Sequence, residues 1–221
     1  MTKHFQNEIE RLKKKILRLA AMVEEALCEA VGAIGNHDIK MATALIQADE
    51  EIDKLEVEVE EDCLKILALH QPVAADLRYT IAVLKINNDL ERIADLAVNI
   101  AKRTVATSVG EDLDPPFDLR GMLDATVNMV RKSVDALVDR DVDLAHQVRV
   151  DDDVVDEFHK VAFAAIQDRI CANPDNVGAL ISLLSVSRNL ERIADHATNI
   201  AEDVIYLIDG EIVRHRGLDD T

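Results

Sequence analysis

Apolar residues recur along this chain at intervals of three and four, the signature of helices that bury one face. One stripe comprises Leu90, Ile93, Ala94, Ala97, Ile100 and Ala101; the same stripe returns one hundred residues later as Leu190, Ile193, Ala194, Ala197, Ile200 and Ala201. The punctuation between stripes predicts six helices, over about 3–34, 39–70, 73–107, 118–138, 142–172, and from the turn at 173–176 to about 210. Gly35 is expected to stop the first helix and Asp38 to cap the second. Pro72 suits the first turn of the third. The sequence DRD separates the fourth from the fifth, and NPDN turns the chain into the sixth.

The segment SVGEDLDPPFD, with one Gly and a Pro-Pro pair, is the only linker-like stretch. It divides the chain into residues 1–107, a linker at 108–117, and residues 118–221. Short connections make neighbouring helices antiparallel. The expected fold is therefore all-α, two related antiparallel three-helix bundles packed on each other. Seven Gly, four Pro and no Trp in 221 residues agree with a helical protein.

The repeat carries chemistry as well as packing. NNDLERIADLAVNIAKR at 87–103 returns as SRNLERIADHATNIAED at 187–203. Glu91 and Asp95 are i, i+4 on one helix, and so are Glu191 and Asp195. Like charges so placed destabilise a helix by roughly 0.2–0.5 kcal/mol. The preceding helices add a second row in each half, Asp49 with Asp53 and Asp152 with Asp156. Counted from the hairpins, the rows reach matching heights. Asp53 and Asp49 lie 18 and 22 residues before Gln71, and Glu91 and Asp95 lie 20 and 24 after it. Asp156 and Asp152 lie 18 and 22 before Pro174, and Glu191 and Asp195 lie 17 and 21 after it. At ~1.5 Å per residue, four carboxylates meet in each half about 30 Å from the turn.

Four carboxylates so placed must protonate or bind cations. Oxygen ligation suits Mg²⁺, Mn²⁺ or Ca²⁺, and carboxylate-rich sites also hold iron. Asn99 and Asn199, one i+4 step beyond Asp95 and Asp195, are candidate carbonyl ligands. Glu56 and His159, three residues past Asp53 and Asp156, are further candidates, and His159 would favour a transition metal. The competing reading is a set of solvated helix charges, with Arg92 and Arg192 neutralising the carboxylates across the bundle. For Glu56 and His159 a solvated face is the simpler account. His196 points about 100° away from Asp195 and is expected behind the ligands or at an interface.

The formal net charge is −18, which repels a phosphate backbone, so no nucleic-acid partner is expected. Cys28, Cys63 and Cys171 are far apart, odd in number and without a CxxC pair, so neither a zinc knuckle nor a disulfide framework is indicated. The start, MTKHFQNEIERLKKK, lacks the apolar core of a signal peptide, and no apolar run approaches the ~20 residues of a membrane span. A cytoplasmic location is expected. No Gly-rich phosphate loop, Ser-His-Asp order or activated cysteine is evident.

These features resemble the PhoU family of bacterial regulators of high-affinity phosphate uptake. The resemblance covers nearly the whole chain. It rests on the duplicated three-helix plan, the paired D/E-x-x-x-D segments, QPVAADLR at 71–78 and NLERIADHATNIAEDVIYLIDG at 189–210. It implies a six-helix, non-enzymatic protein with multinuclear iron or zinc on the acidic pairs, Mn or Mg being the alternatives. The positions carried over are Asp49, Asp53, Glu91 and Asp95 in one half, and Asp152, Asp156, Glu191 and Asp195 in the other. It also implies a homodimeric negative regulator that restrains the phosphate ABC transporter and its sensor histidine kinase. The transporter ATPase and that kinase are then its partners, and it meets the membrane only through them. Asp76 and Arg78, as charges near a turn, are candidate partner contacts, and if so only the first hairpin makes them in this way, since the second lacks DLR. The same two residues also make an ordinary helix start. The alternative function is a carboxylate-bridged metalloenzyme in a helical bundle. That class uses Glu-x-x-His, and Asp143/His146 and Asp156/His159 are the nearest approximations here. A purely structural adaptor would leave the acidic rows unexplained.

Overall fold

The computed structural model describes residues 3–107, 114–172 and 174–210. Its six α-helices are α1 (Lys3–Gly35), α2 (Ile39–His70), α3 (Ala74–Thr107), α4 (Leu119–Asp139), α5 (Val142–Ala172) and α6 (Val177–Asp209), with no strand among the described residues. Residues 108–113 of the expected linker and Asn173 of the NPDN turn lie outside the described residues. The rest of NPDN forms a 3₁₀ turn, Pro174–Asn176, that runs into α6.

Local chemistry sets most helix ends. The Asp38 carboxylate caps α2, accepting from the Met41 N–H at 3.0 Å. Asp118 caps α4 through the Gly121 N–H at 2.8 Å, and Asp141 caps α5 through the Leu144 N–H at 2.9 Å. Gly121 has a reason to be glycine: a Cβ there would collide with the Asp118 carboxylate and sit 3.1 Å from the Phe158 ring. Two expectations are corrected. Gly35 is only the last helical residue of α1; His37 takes the left-handed conformation (φ 52), and the Asp38 N–H closes the turn on the Ala33 carbonyl at 2.9 Å. Pro72 lies in the connection, not in the first turn of α3, after Gln71 (φ 43) has capped α2 with a bond to the Leu67 carbonyl.

α1–α3 form one three-helix bundle and α4–α6 the other. α3 lies along α6 and α1 packs on α4, so both bundles share one continuous core. The repeated stripes sit at the centre. Leu90, Ile93, Ala97 and Ile100 are fully buried, as are Leu190, Ile193, Ala197 and Ile200. Each buried Leu or Ile contributes about 1.5–3 kcal/mol. The small alanines between them let the central helices approach closely. Polar ties span the same interface. Lys85 donates to Asp203 at 3.0 Å, His196 Nδ1 meets Asp89 at 2.9 Å, and Arg131 of α4 pairs with Glu24 of α1 at 2.8 Å. No described helix is long and apolar enough to cross a membrane.

Candidate functional site

In the first half α2 packs on α3, Ile52 and Leu55 of α2 and the stripe of α3 are buried, and the acidic rows flank these buried positions along the two helices. Asp49, Glu91 and Glu56 are partly buried, whereas Asp53 is exposed and the Asp95 side chain is half-exposed. The carboxylates are close enough to raise one another. The Asp49 carboxyl lies above its ordinary pKa, first because of burial and then because Asp53 and Asp95 face it, with Lys102 working the other way. Glu91 is raised by burial and then by Asp95, with Asp53 and Asp49 adding to it. Glu56 is raised by burial, Glu60, Glu91 and Asp53. The two rows thus face each other across the seam between α2 and α3.

The second half repeats this more strongly. Burial pushes Asp152 up to about 6, helped by Asp195 and Asp156 and opposed by the Thr198 hydroxyl. Glu191 is raised by burial and by Asp195, with nearby His159 and Arg188 opposing. Asp195 is raised by burial and by Asp156, with His196 and Arg192 opposing. Among the described residues, no three row carboxylates bring ligand atoms within 4.8 Å of one another. The donor set is oxygen-rich, partly desolvated and self-repelling, which fits a bound divalent cation drawing the carboxylates inward.

The other candidates fall in different places. Glu56 accepts from the Asn87 side-chain amide at 2.8 Å, at the edge of the first row. His159 bonds Ser187 at 2.8 Å through Nδ1, beside Glu191. Asn99 and Asn199 are exposed and open onto grooves between α3 and α6. Asn99 lies among Lys102, Arg188 and Arg192, whereas Asn199 lies among Lys85, Asp89 and Asp203. Arg92 does not reach across the bundle; it pairs with Glu91 and Asp95 of its own helix at 3.5 and 3.3 Å. His196 sits at the interface with α3. Asp76 occupies the first turn of α3, and Arg78 donates to the Leu207 carbonyl at 3.4 Å, which ties the first hairpin to the end of α6. All three cysteines are free, and Cys63 is fully buried.

The arrangement predicts the behaviour of single carboxylates. Asp95→Asn removes one charge from a repelling set, so metal-free stability should be unchanged or higher by a few tenths of a kcal/mol, about the size of an i, i+4 repulsion. Urea denaturation with chelator present measures this. A large loss would mean that the Arg92 pairing outweighs the repulsion.

A tandem pair of three-helix bundles with an acidic row on each defines a class of duplicated helical-bundle proteins. The PhoU domain model matches this chain twice, at residues 16–104 and 119–204, and the chain belongs to that family. It is 36% identical over 99% of its length to a phosphate-specific transport system accessory protein PhoU homolog of Pseudomonas putida, of which it covers 86%. It is 37% identical to the homolog of Aquifex aeolicus, with 95% of each chain covered. The crystal structure of PhoU from Pseudomonas aeruginosa superimposes with a TM-score of 0.89 at 34% identity, covering 94% of this chain and 100% of the other.

Proposed function

We propose that this chain is a non-enzymatic, cytoplasmic negative regulator of phosphate uptake and of the phosphate-starvation response, acting on the phosphate ABC transporter's ATPase and the phosphate-sensing histidine kinase. The observation that carries this reading is the chain-long similarity to proteins named as accessory to phosphate-specific transport. The acidic rows add a metal to the proposal. Asp49, Asp53, Glu91 and Asp95 hold one site, and Asp152, Asp156, Glu191 and Asp195 the other. Iron or zinc is the expected occupant, with Mn or Mg as alternatives. A surface of net charge −18 favours steered encounter with a basic partner surface. We expect a homodimer, with Asp76 and Arg78 at or near the partner contact.

A deletion strain tests the regulatory reading. It should express its phosphate-starvation genes even in rich phosphate. Normal repression in that strain, with no close paralogue present, would remove the assignment. Elemental analysis tests the metal separately. Protein purified without chelators should carry metal, and finding none, together with no metal-induced rise in Tm, would leave a regulator without metal sites.

A further inference from the structure

One group of metal-ligating side chains lies away from both acidic rows. His4 and Glu8 stand i, i+4 on the first turns of α1, and His70 is the last residue of antiparallel α2. Glu8 holds the middle. Its Oε2 meets His70 Nε2 at 2.5 Å, and its Oε1 lies 3.4 Å from His4 Nε2. The two rings stand edge to face with centroids 5.7 Å apart, and buried Phe5 packs on the His70 ring at 5.2 Å. One ligand atom from each of the three residues lies within 4.8 Å of the others. Arg11, three residues past Glu8, donates to Asp62 instead, at 2.6 Å.

We propose that His4, Glu8 and His70 form a site for a zinc-class divalent transition ion that ties the start of α1 to the end of α2. Two imidazole nitrogens and one carboxylate are a donor set for Zn²⁺ with a fourth position left to water. They differ in kind from the all-oxygen rows, which take hard cations as well. The geometry is near that of a bound ion. Metal–ligand bonds of 2.0–2.2 Å place tetrahedral ligand atoms about 3.3 Å apart. His4 Nε2 and His70 Nε2 face opposite oxygens of Glu8, at 3.4 and 2.5 Å, so binding through one oxygen needs a turn of the carboxylate that brings both rings to that spacing. Phe5 holds the His70 ring in place while His4, three-quarters exposed, closes from solvent. The site belongs to one half alone. His4 and Glu8 precede residue 16, where the family match begins, and α4 has 21 residues against the 33 of α1. Along α2 the site lies roughly 25 Å from Asp53, at 1.5 Å per residue.

The test uses the full-length protein with ¹⁵N-labelled histidine and Zn²⁺ as the probe, read at the imidazole signals so that Zn²⁺ taken up by the acidic rows does not count. The imidazole signals of His4 and His70 should shift together as Zn²⁺ is added, and Mg²⁺ alone should leave them in place. His4→Gln and Glu8→Gln should each weaken this Zn²⁺ response at least about tenfold, the scale set by disturbing a zinc site's supporting groups. His4 is exposed, so its variant keeps the fold, and far-UV circular dichroism confirms this for both. Unmoved imidazole signals at ~100 μM free Zn²⁺, roughly a hundred times a micromolar dissociation constant, would overturn the proposal. An undiminished response in either variant would do the same.

Discussion

Ile193→Ala should destabilise the protein by about 2–5 kcal/mol and lower its Tm by roughly 5–15 °C. The residue is fully buried, on a helix that packs against α3, α4 and α5 at once. Truncation of a fully buried side chain removes core contacts, and alanine leaves a cavity that rigid helix backbones close only in part. Because the core runs unbroken through both bundles, one cooperative transition shifted to lower temperature is expected, with no separate melting of the second bundle. Ile93→Ala, at the equivalent place in α3, should cost a similar amount. Asp195→Asn, two positions along the same helix, should leave metal-free stability unchanged or slightly raised. The contrast follows from the two faces of one repeated segment, one building the core and the other the row of carboxylates. Calorimetry on the three variants measures it. A cost under about 1 kcal/mol for Ile193→Ala would mean that the interface repacks around the smaller side chain.

The helices were legible because their signals are local. Asp38 and Asp118 announce helix starts, and the three- and four-residue periodicity identifies the buried stripe whose residues are now seen at the centre of the core. The duplication was legible from LERIAD alone. The alignment of the acidic rows followed from counting residues about each hairpin, since antiparallel helices with equal rise bring equal counts to equal heights. What was not legible depends on which helix lies beside which. The sequence places His196 behind the ligands or at an interface without choosing, and only the packing of α6 on α3 supplies its partner, Asp89. Arg78 looks like an exposed hairpin charge, yet it bonds the far end of α6. Asp62 reads as one acid in an acidic helix; it is buried between Arg11 and Lys15 of α1, at 2.6 and 2.8 Å. The i, i+4 spacing of His4 and Glu8 was present in the sequence, but His70 joins them only through the antiparallel packing of α1 and α2.

The metal-free protein should become more stable as pH falls from 7 toward 5, and a divalent cation should reverse that trend. Asp152 sets the sign. Its folded-state pKa of about 6 lies above its ordinary value of 3.8, so the folded state binds the proton more tightly than the unfolded chain does. Its stabilising contribution grows as pH drops through about 6 and is complete below the unfolded value; it is lost as pH rises through the folded one. Asp49, Glu56, Glu91, Glu191 and Asp195 are shifted in the same direction and add to the effect. Asp62 opposes it. Burial alone would raise its carboxyl, but the bonds from Arg11 and Lys15 outweigh burial and hold it below its ordinary value. Its contribution is therefore full above the unfolded value and lost only as pH falls through the still lower folded one. Between pH 7 and 5 the rows decide. For Asp152 the gain between pH 7 and 5 is about 1 kcal/mol or less, because only part of the shift is realised in that window and solvent screening discounts it. Asp152→Asn should flatten most of this slope. A cation competes with the proton for the same oxygens, so metal binding should strengthen as pH rises, adding about 2.7 kcal/mol at a hundredfold excess over the dissociation constant. Urea midpoints at pH 5, 6 and 7, with chelator and then with metal, measure both slopes. A chelated wild type most stable at pH 7 would mean that cationic side chains already neutralise the rows, with Arg92 and Arg192 the first to replace in order to find which.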